Sequence, residues 1–487
     1  MAINISTEIT NAVAEMLFIS KEGIILNYDK LSVPYTEILN YAQKELGFNG
    51  DYGQIEEINL INNDPSRVIL IGIGNQHELS YERIRRVLSG ALKAIHNING
   101  NLVLKIYRKS ENFKIYDVTR AVSEAIILAQ YKFRKYLTKN QSNSLLNINI
   151  VVHEDDLRLC REASKEGVIL GEATILARDL VNEPANIATP QFIAHRAVEL
   201  GKELGIEVEI MDEFKIESLG MKAFMEVAKG SKNPPKLIVM RYNGNEKSDE
   251  RLGLVGKGIT YDSGGLTIKP GDRLIQMKHD MAGSATVIGA ITAIAKAKLK
   301  VNVVAIVAAC ENMVSGNCYR PGDIILSMAG KSIFVGSTDA EGRLTLVDAI
   351  TYAINYESIT SILDVASLTG IARKSFGNVM TPVLCNDNVL YSKLEVATEY
   401  SGERVFRMPI DDEYREFLNH DLADLTNSSG EAGMITAGMF IREFIEDKKW
   451  IHMDIAGTCW SNIDNHYFSK GGTGIGVRTL YYLAKEM

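Results

Sequence analysis

Apolar positions in the first third of the chain follow two alternating rhythms. Short β-branched runs, Val68-Ile69-Leu70-Ile71, Leu102-Val103-Leu104 and Ile148 to Val152, are separated by stretches with helical spacing, from about Tyr81 to His96 and from about Val118 to Leu137. Strand, helix and strand in that order predict a parallel-rich α/β lobe. From Glu154 to Val181 a long helical pattern, apolar at Val168, Leu170, Ile175, Leu176 and Leu180, predicts a bridging helix stopped by Asn182-Glu183-Pro184.

A second series follows. Ile206 to Ile210, Leu237 to Met240, Leu252 to Val255, Val301 to Ala308 and Ser361 to Val365 read as strands, several apolar throughout, as in a sheet covered on both faces. Such sheets bind ligands beyond the carboxyl ends of their strands, which draws attention to the segments after Val255, Ala308 and Val365. The expectation is a two-lobed α/β protein. A smaller N-terminal α/β domain spans 1–165 and ends in the bridging helix of about 154–181; a larger C-terminal α/β domain, with a central mixed sheet flanked by helices, spans 166–487.

Composition agrees with two lobes, since 487 residues with 46% hydrophobic content exceed one ordinary core. The net charge of −8 gives no general pull towards nucleic acid or acidic membranes. The excess acid lies in the second part: residues 1–165 carry 20 basic and 19 acidic side chains, residues 166–487 carry 33 and 42. Five scattered cysteines make neither a disulfide framework nor a CxxC metal spacing, and fit reduced thiols in a cytosol. Met1 to Glu22 lacks the pattern of a secretory signal, and no run approaches the ~18 apolar residues of a membrane span. A cytoplasmic protein is expected, with no membrane partner.

Three glycine patterns invite a nucleotide-binding reading and fail it. Gly72-Ile73-Gly74 is followed by His77 where a third glycine is needed, Gly256-Lys257-Gly258 lacks a Ser or Thr after its lysine, and Gly472-Thr473-Gly474-Ile475-Gly476 lies too near the end for a βαβ unit. No HExxH occurs, which sets aside a histidine-based zinc site; His279 alone reads as a hydrogen-bonded loop residue.

Two segments concentrate chemistry. After the expected strand Leu252 to Val255 comes Gly256-Lys257-Gly258-Ile259-Thr260-Tyr261-Asp262-Ser263-Gly264-Gly265, then Lys269 and Met277-Lys278-His279-Asp280. Read as a glycine-rich loop, it gathers lysines and carboxylates where backbone can approach a ligand closely. The second segment is Ser337-Thr338-Asp339-Ala340-Glu341-Gly342-Arg343-Leu344, ahead of an apolar helix from Leu344 to Ile354. Asp-x-Glu on an extended stretch puts both carboxylates on one side. Taken alone, the first segment also fits a strand–turn–helix corner, and the second reads better as a helix N-cap with acidic first-turn residues.

Together they resemble the leucyl aminopeptidase (cytosol aminopeptidase) family, peptidase family M17, whose signature is Asn-Thr-Asp-Ala-Glu-Gly-Arg-Leu. Seven of eight positions match, with Ser337 in place of the asparagine. The resemblance continues through Asp179 to Asn186, Cys310-Glu311-Asn312-Met313, Arg320-Pro321-Gly322-Asp323, Ser367-Leu368-Thr369-Gly370 and Asp454-Ile455-Ala456-Gly457, in the family's order. It implies Lys257, Asp262, Asp280, Asp339 and Glu341 as ligands of two divalent metal ions, Mn²⁺ or Zn²⁺ and also Mg²⁺, with Asp262 and Glu341 bridging. It implies Lys269 and Arg343 as the catalytic residues, bicarbonate near Arg343, and Met277, Ser367, Leu368, Gly370, Ala456 and Cys459 around the substrate's first side chain. The activity implied is release of N-terminal residues, leucine and other apolar ones preferred, from peptides by a homohexamer. A rival reading, a nucleic-acid-binding regulator, rests on Arg83, Arg85, Arg86, Lys132, Arg134, Lys135 and Lys139.

Overall fold

The computed structural model describes residues 3–8, 12–23, 35–60, 65–95, 100–106, 113–138 and 147–487. Lys139 of the basic cluster lies outside them. The chain divides into two compact units, one of Met1–Glu172 with Ile463–Ser469, the other of Ala173–Asn462 with Lys470–Met487. The long helix is Leu157–Asn182, preceded by a 3₁₀ turn at Glu154–Asp156. The division falls inside it rather than at 165/166, because its C-terminal turns pack with the second unit's own residues: Arg178 Nε donates to the Thr473 carbonyl at 2.9 Å.

The first unit holds a six-stranded sheet, β1 (Ile3–Ser6), β2 (Ala12–Ser20), β3 (Ile55–Asn59), β4 (Arg67–Gly74), β5 (Asn101–Lys105) and β6 (Asn147–Val151), in the order β1-β6-β5-β2-β4-β3. Only β3 runs antiparallel to its neighbour, as the strand–helix alternation predicts. The helix expected to about Leu137 stops at Ala129 and begins at Ile115. The returning segment Ile463–Ser469 had no signal in the hydrophobic pattern; it is held by polar contacts, with Tyr467 donating to Glu82 at 2.7 Å.

The second unit is built on β7 (Glu207–Met211), β8 (Lys236–Asn243), β9 (Leu252–Asp262), β10 (Asn302–Asn312), β11 (Ile324–Leu326), β12 (Ser332–Phe334), β13 (Ser361–Ala366), β14 (Thr381–Cys385), β15 (Val405–Arg407), β16 (Leu425–Thr426) and β17 (Lys449–Asp454). Eight of these form a mixed sheet, β15-β14-β17-β13-β9-β10-β8-β7, in which β17, β13, β9 and β10 are consecutive parallel strands. Both units are thus α/β, with mixed sheets flanked by helices.

The strand β9 continues seven residues past the expected Val255, so Gly256 to Asp262 are strand and not loop. The glycines admit close neighbours. A Cβ on Gly256 would lie 2.7 Å from the Gly283 carbonyl oxygen, and one on Gly283 would lie 2.0 Å from that of Val365. The helix Ala282–Ala297 therefore rests directly on β9 and β13, and the 3₁₀ turn Met277–Met281 before it is brought over their carboxyl ends.

Candidate metal centre

Four parallel strands end at one place. Lys257 and Asp262 come from β9, Asn312 closes β10, Ser367 follows β13, and Asp454 is the last residue of β17. The 3₁₀ turn adds Met277 and Asp280, and the helix Gly342–Tyr356 adds Glu341 at its N-cap and Arg343 in its first turn. The octapeptide turns at Thr338-Asp339 instead of running extended. Its two acids consequently reach different lysines.

Lys257 Nζ lies 2.7 Å from Asp280 Oδ2 and 2.9 Å from Glu341 Oε1, and donates to the Ser367 carbonyl at 3.1 Å. Lys269 Nζ lies 2.7 Å from Asp262 Oδ2 and 2.6 Å from Asp339 Oδ1. A Cβ on Gly342 would fall 2.3 Å from Lys257 Cε, so glycine at that position leaves room for the lysine beneath the helix N-terminus. Gly264 and Gly265, at φ +87° and +62°, turn the chain from β9 towards Lys269.

Carboxylate oxygens of Asp262, Asp280 and Glu341 lie within 4.8 Å of one another, and all three residues are buried. Three like charges drawn together out of water are costly, and the acidities show it. Burial, reinforced by Asp262, pushes the Glu341 carboxyl up to about 8 against the pull of Lys257. Burial likewise lifts Asp280 to about 6 and raises Asp339. For Lys257 and Lys269 burial works against the ammonium form, but the surrounding carboxylates prevail and raise both. Asp280 Oδ2 and Glu341 Oε1 accept no hydrogen bond of proper geometry despite their short distances to Lys257. Oxygen donors with one amine form a set suited to hard or borderline divalent ions.

Residues without an assigned role in the sequence reading hold this set in shape. Asn312 Nδ2 donates to Asp262 Oδ1 at 2.8 Å and to the Thr338 carbonyl at 2.9 Å, which also accepts from Tyr319 at 2.8 Å. Asn427, fully buried, accepts from the amides of Gly336 and Ser337 and donates to the Ser337 carbonyl at 2.7 Å. The Ser337 hydroxyl accepts from the Asp339 amide at 3.2 Å, a local cap that its short side chain makes unaided. Asp454 accepts from the amides of Leu368, Thr369 and Ala456 and from the Thr369 hydroxyl at 2.6 Å, tying together the two loops beside the carboxylates.

A cavity of about 760 Å³ opens over the cluster, lined by Lys257, Asp262, Lys269, Asp280, Asp339 and Arg343. Met277, Ser367, Leu368, Gly370 and Ala456 line it as well; Cys459 does not. That thiol is 1% exposed in the turn after β17, where its amide donates back to the Ile455 carbonyl, and burial raises it to about 12. Arg343 faces the cavity with a buried Nε that has no hydrogen-bond partner, and burial lowers it to about 10. His279 corrects its expectation too: it is buried, its Nδ1 has no partner, and burial with nearby Arg373 brings it down to about 4.

Three of the basic residues that motivated a nucleic-acid reading are paired with carboxylates. Arg85 is fully buried 2.6 Å from Glu124, Arg86 lies 2.7 Å from Glu82, and Arg83 lies 3.0 Å from Glu78 and over the Tyr52 ring.

Known proteins resemble the chain over most of its length. Residues 175–481 match the catalytic domain of the cytosol aminopeptidase family and residues 20–140 its N-terminal domain. The chain is 45% identical to a probable cytosol aminopeptidase of Clostridium perfringens over 96% of its length and 97% of that protein's. A probable cytosol aminopeptidase of Clostridium tetani is 44% identical, over 92% and 93% of the two chains. Among solved structures, the bottromycin maturation enzyme BotP in complex with Mn superposes with a TM-score of 0.86 at 28% identity, covering 98% of this chain and 99% of that one. No helix among the described residues is long and apolar enough to cross a membrane. By domain content, relatives and the carboxylate cluster at its sheet's end, the chain belongs to the cytosol aminopeptidase family, a family of hydrolases.

Proposed function

We propose that the protein is a cytoplasmic metallo-aminopeptidase that binds two divalent ions at Lys257, Asp262, Asp280, Asp339 and Glu341 and removes the first residue from peptides with a free N-terminus. The observation that carries the reading is the approach of three buried carboxylates to within 4.8 Å beneath an open cavity. The raised pKa values of Asp280 and Glu341 mark a site built for more positive charge than two lysines supply. Two divalent ions held there would supply a hydroxide near neutral pH and polarise the scissile carbonyl.

The protein's own groups do the rest. Asp262 and Glu341, oriented by Asn312, would help to hold the two ions. Lys257 joins the ligand set as a neutral amine, a form adjacent dications favour. Lys269, 15% exposed at its side chain and lining the cavity, stabilises the oxyanion that develops on the substrate. Arg343, with an unpartnered buried Nε, is suited to hold a bicarbonate. Met277, Leu368 and Ala456 offer apolar surface for a leucine-like first side chain. Mn²⁺, Zn²⁺ and Mg²⁺ all suit the donors; manganese is named with one solved relative. A homohexamer is the expected assembly, which sedimentation would test.

Metal analysis after dialysis, paired with turnover of leucine anilide with Mn²⁺ and with chelator, tests the reading. Two ions per chain and chelator-sensitive turnover are expected. Turnover that survives complete metal removal would overturn it.

A further inference from the structure

The cavity wall carries positive charge that the carboxylate cluster does not use. Lys257 and Lys269 are paired with carboxylates, and exposed Arg273, beside Asp272 in the chain, adds a further charge to the lining. Arg373 and Lys374 line the same cavity, are exposed, and form no ion pair or hydrogen bond with a side chain among the described residues.

Their position is fixed. They sit on the short helix Gly370–Phe376, whose N-cap Thr369 accepts from the Ala372 amide and donates to Asp454 at 2.6 Å. On its inner side Ala372 is fully buried, and a Cβ on Gly457 would lie 3.3 Å from Arg373 Cα, so the helix backbone is pressed against the loop after β17. Two lysine or arginine side chains kept at a cavity wall without a carboxylate partner present a place for one.

We propose that Arg373 and Lys374 bind a carboxylate of the substrate beyond the cleaved bond, so that short peptides bearing a free C-terminus or an acidic residue near the N-terminus are preferred. The proposal rests on the aminopeptidase reading and names its substrate class. Both residues line the cavity that opens over the carboxylate cluster, so a di- or tripeptide whose first residue lies at the metal centre shares that cavity with them, and its terminal carboxylate is the anion to meet them.

The test compares kcat/KM for Leu-Gly, Leu-Gly amide and Leu-Asp amide at low and high salt. Leu-Gly should exceed its amide by about fivefold at low ionic strength, with the advantage fading as salt is added. An equal advantage for Leu-Asp amide would identify side-chain carboxylates as a second source, and none would restrict the site to C-termini. R373A/K374A should bring the acid-to-amide ratio to about one, and R373E/K374E should invert it. Equal rates on acid and amide in the wild type, or a ratio unchanged in both variants, would overturn the proposal. Absence of turnover on every peptide and on leucine amide would instead remove the aminopeptidase reading.

Discussion

Both units bury matched charge pairs, such as Glu403 with Arg478 in the second, and the second adds a carboxylate cluster. In the first, buried carboxylates face cations: Glu15 lies 2.8 Å from Lys105, Glu124 lies 2.6 Å from Arg85, and Asp117 lies 2.8 Å from Arg120. In the second, Asp262, Asp280 and Glu341 crowd within 4.8 Å of one another around Lys257 and Lys269, and Asp280 and Glu341 are nonetheless pushed above the ordinary carboxylate range. Matched pairs can be explained by folding alone, since each member satisfies the other. A group of carboxylates turned inward opposes folding, and its persistence indicates a task that needs their combined field.

The sharpest way to separate the two is to delete one carboxylate from each. Glu341→Ala should reduce peptide hydrolysis to background while the denaturation midpoint in chelator is unchanged or higher, because a like charge has been removed. Glu124→Ala should leave activity per folded molecule intact but cost about 3–5 kcal/mol, since Arg85 then lies buried without its main partner. Denaturant titration and turnover on both variants give the comparison. Substantial hydrolysis by the Glu341 variant would sink the two-metal assignment.

Lys269 sharpens the contrast inside the second unit. Lys269→Ala should lower kcat by about 10²–10³-fold, the typical loss for a missing oxyanion stabiliser, with both ions retained. Loss of metal in that variant would show that the lysine organises Asp262 and Asp339 instead. A smaller effect is expected from the ions themselves. Mn²⁺ at about a hundredfold above its dissociation constant should stabilise the second unit by ~2.7 kcal/mol. Hydrogen exchange would localise the gain, which should spare the first unit's sheet.

The octapeptide could be read from sequence because its chemistry is contiguous. Asp339, Glu341 and Arg343 are close in the chain, and the helix they introduce begins at Gly342. Asn427 could not, since it acts on backbone groups ninety residues earlier and any buried polar side chain looks alike in sequence. Asp454 and Asn312 stood in quoted motifs without a role, for the same reason: their partners are amides, a carbonyl and a distant carboxylate. The alternation of strands and helices marked three of the six strands of the first sheet and five of the eight of the second. It erred where glycine served packing rather than turning, as at Gly256 and Gly258 inside β9, where glycine admits the helix Ala282–Ala297 and the neighbouring strand β10.

A third kind of buried acid completes the contrast. Asp348 lies in the same helix as Arg343, fully buried, with no cation beside it; it accepts from the amides of Met328 at 2.7 Å and Phe224 at 2.9 Å. Burial lifts it to about 7 although these amides favour the charged form. In the unfolded chain it ionises near its ordinary value of 3.8, so between there and about 7 the folded state binds more protons. Its stabilising contribution is therefore full below about 4 and lost as pH rises towards 7, by about 1 kcal/mol per pH unit across that window. Asp348→Asn should be less stable throughout, because its amide nitrogen cannot accept from a backbone N–H, yet should lack this slope. Urea titrations of both proteins at matched ionic strength measure the difference. Parallel wild-type and variant curves would mean that Asp348 stays ionised in the fold, held by backbone amides as firmly as Glu124 is by Arg85.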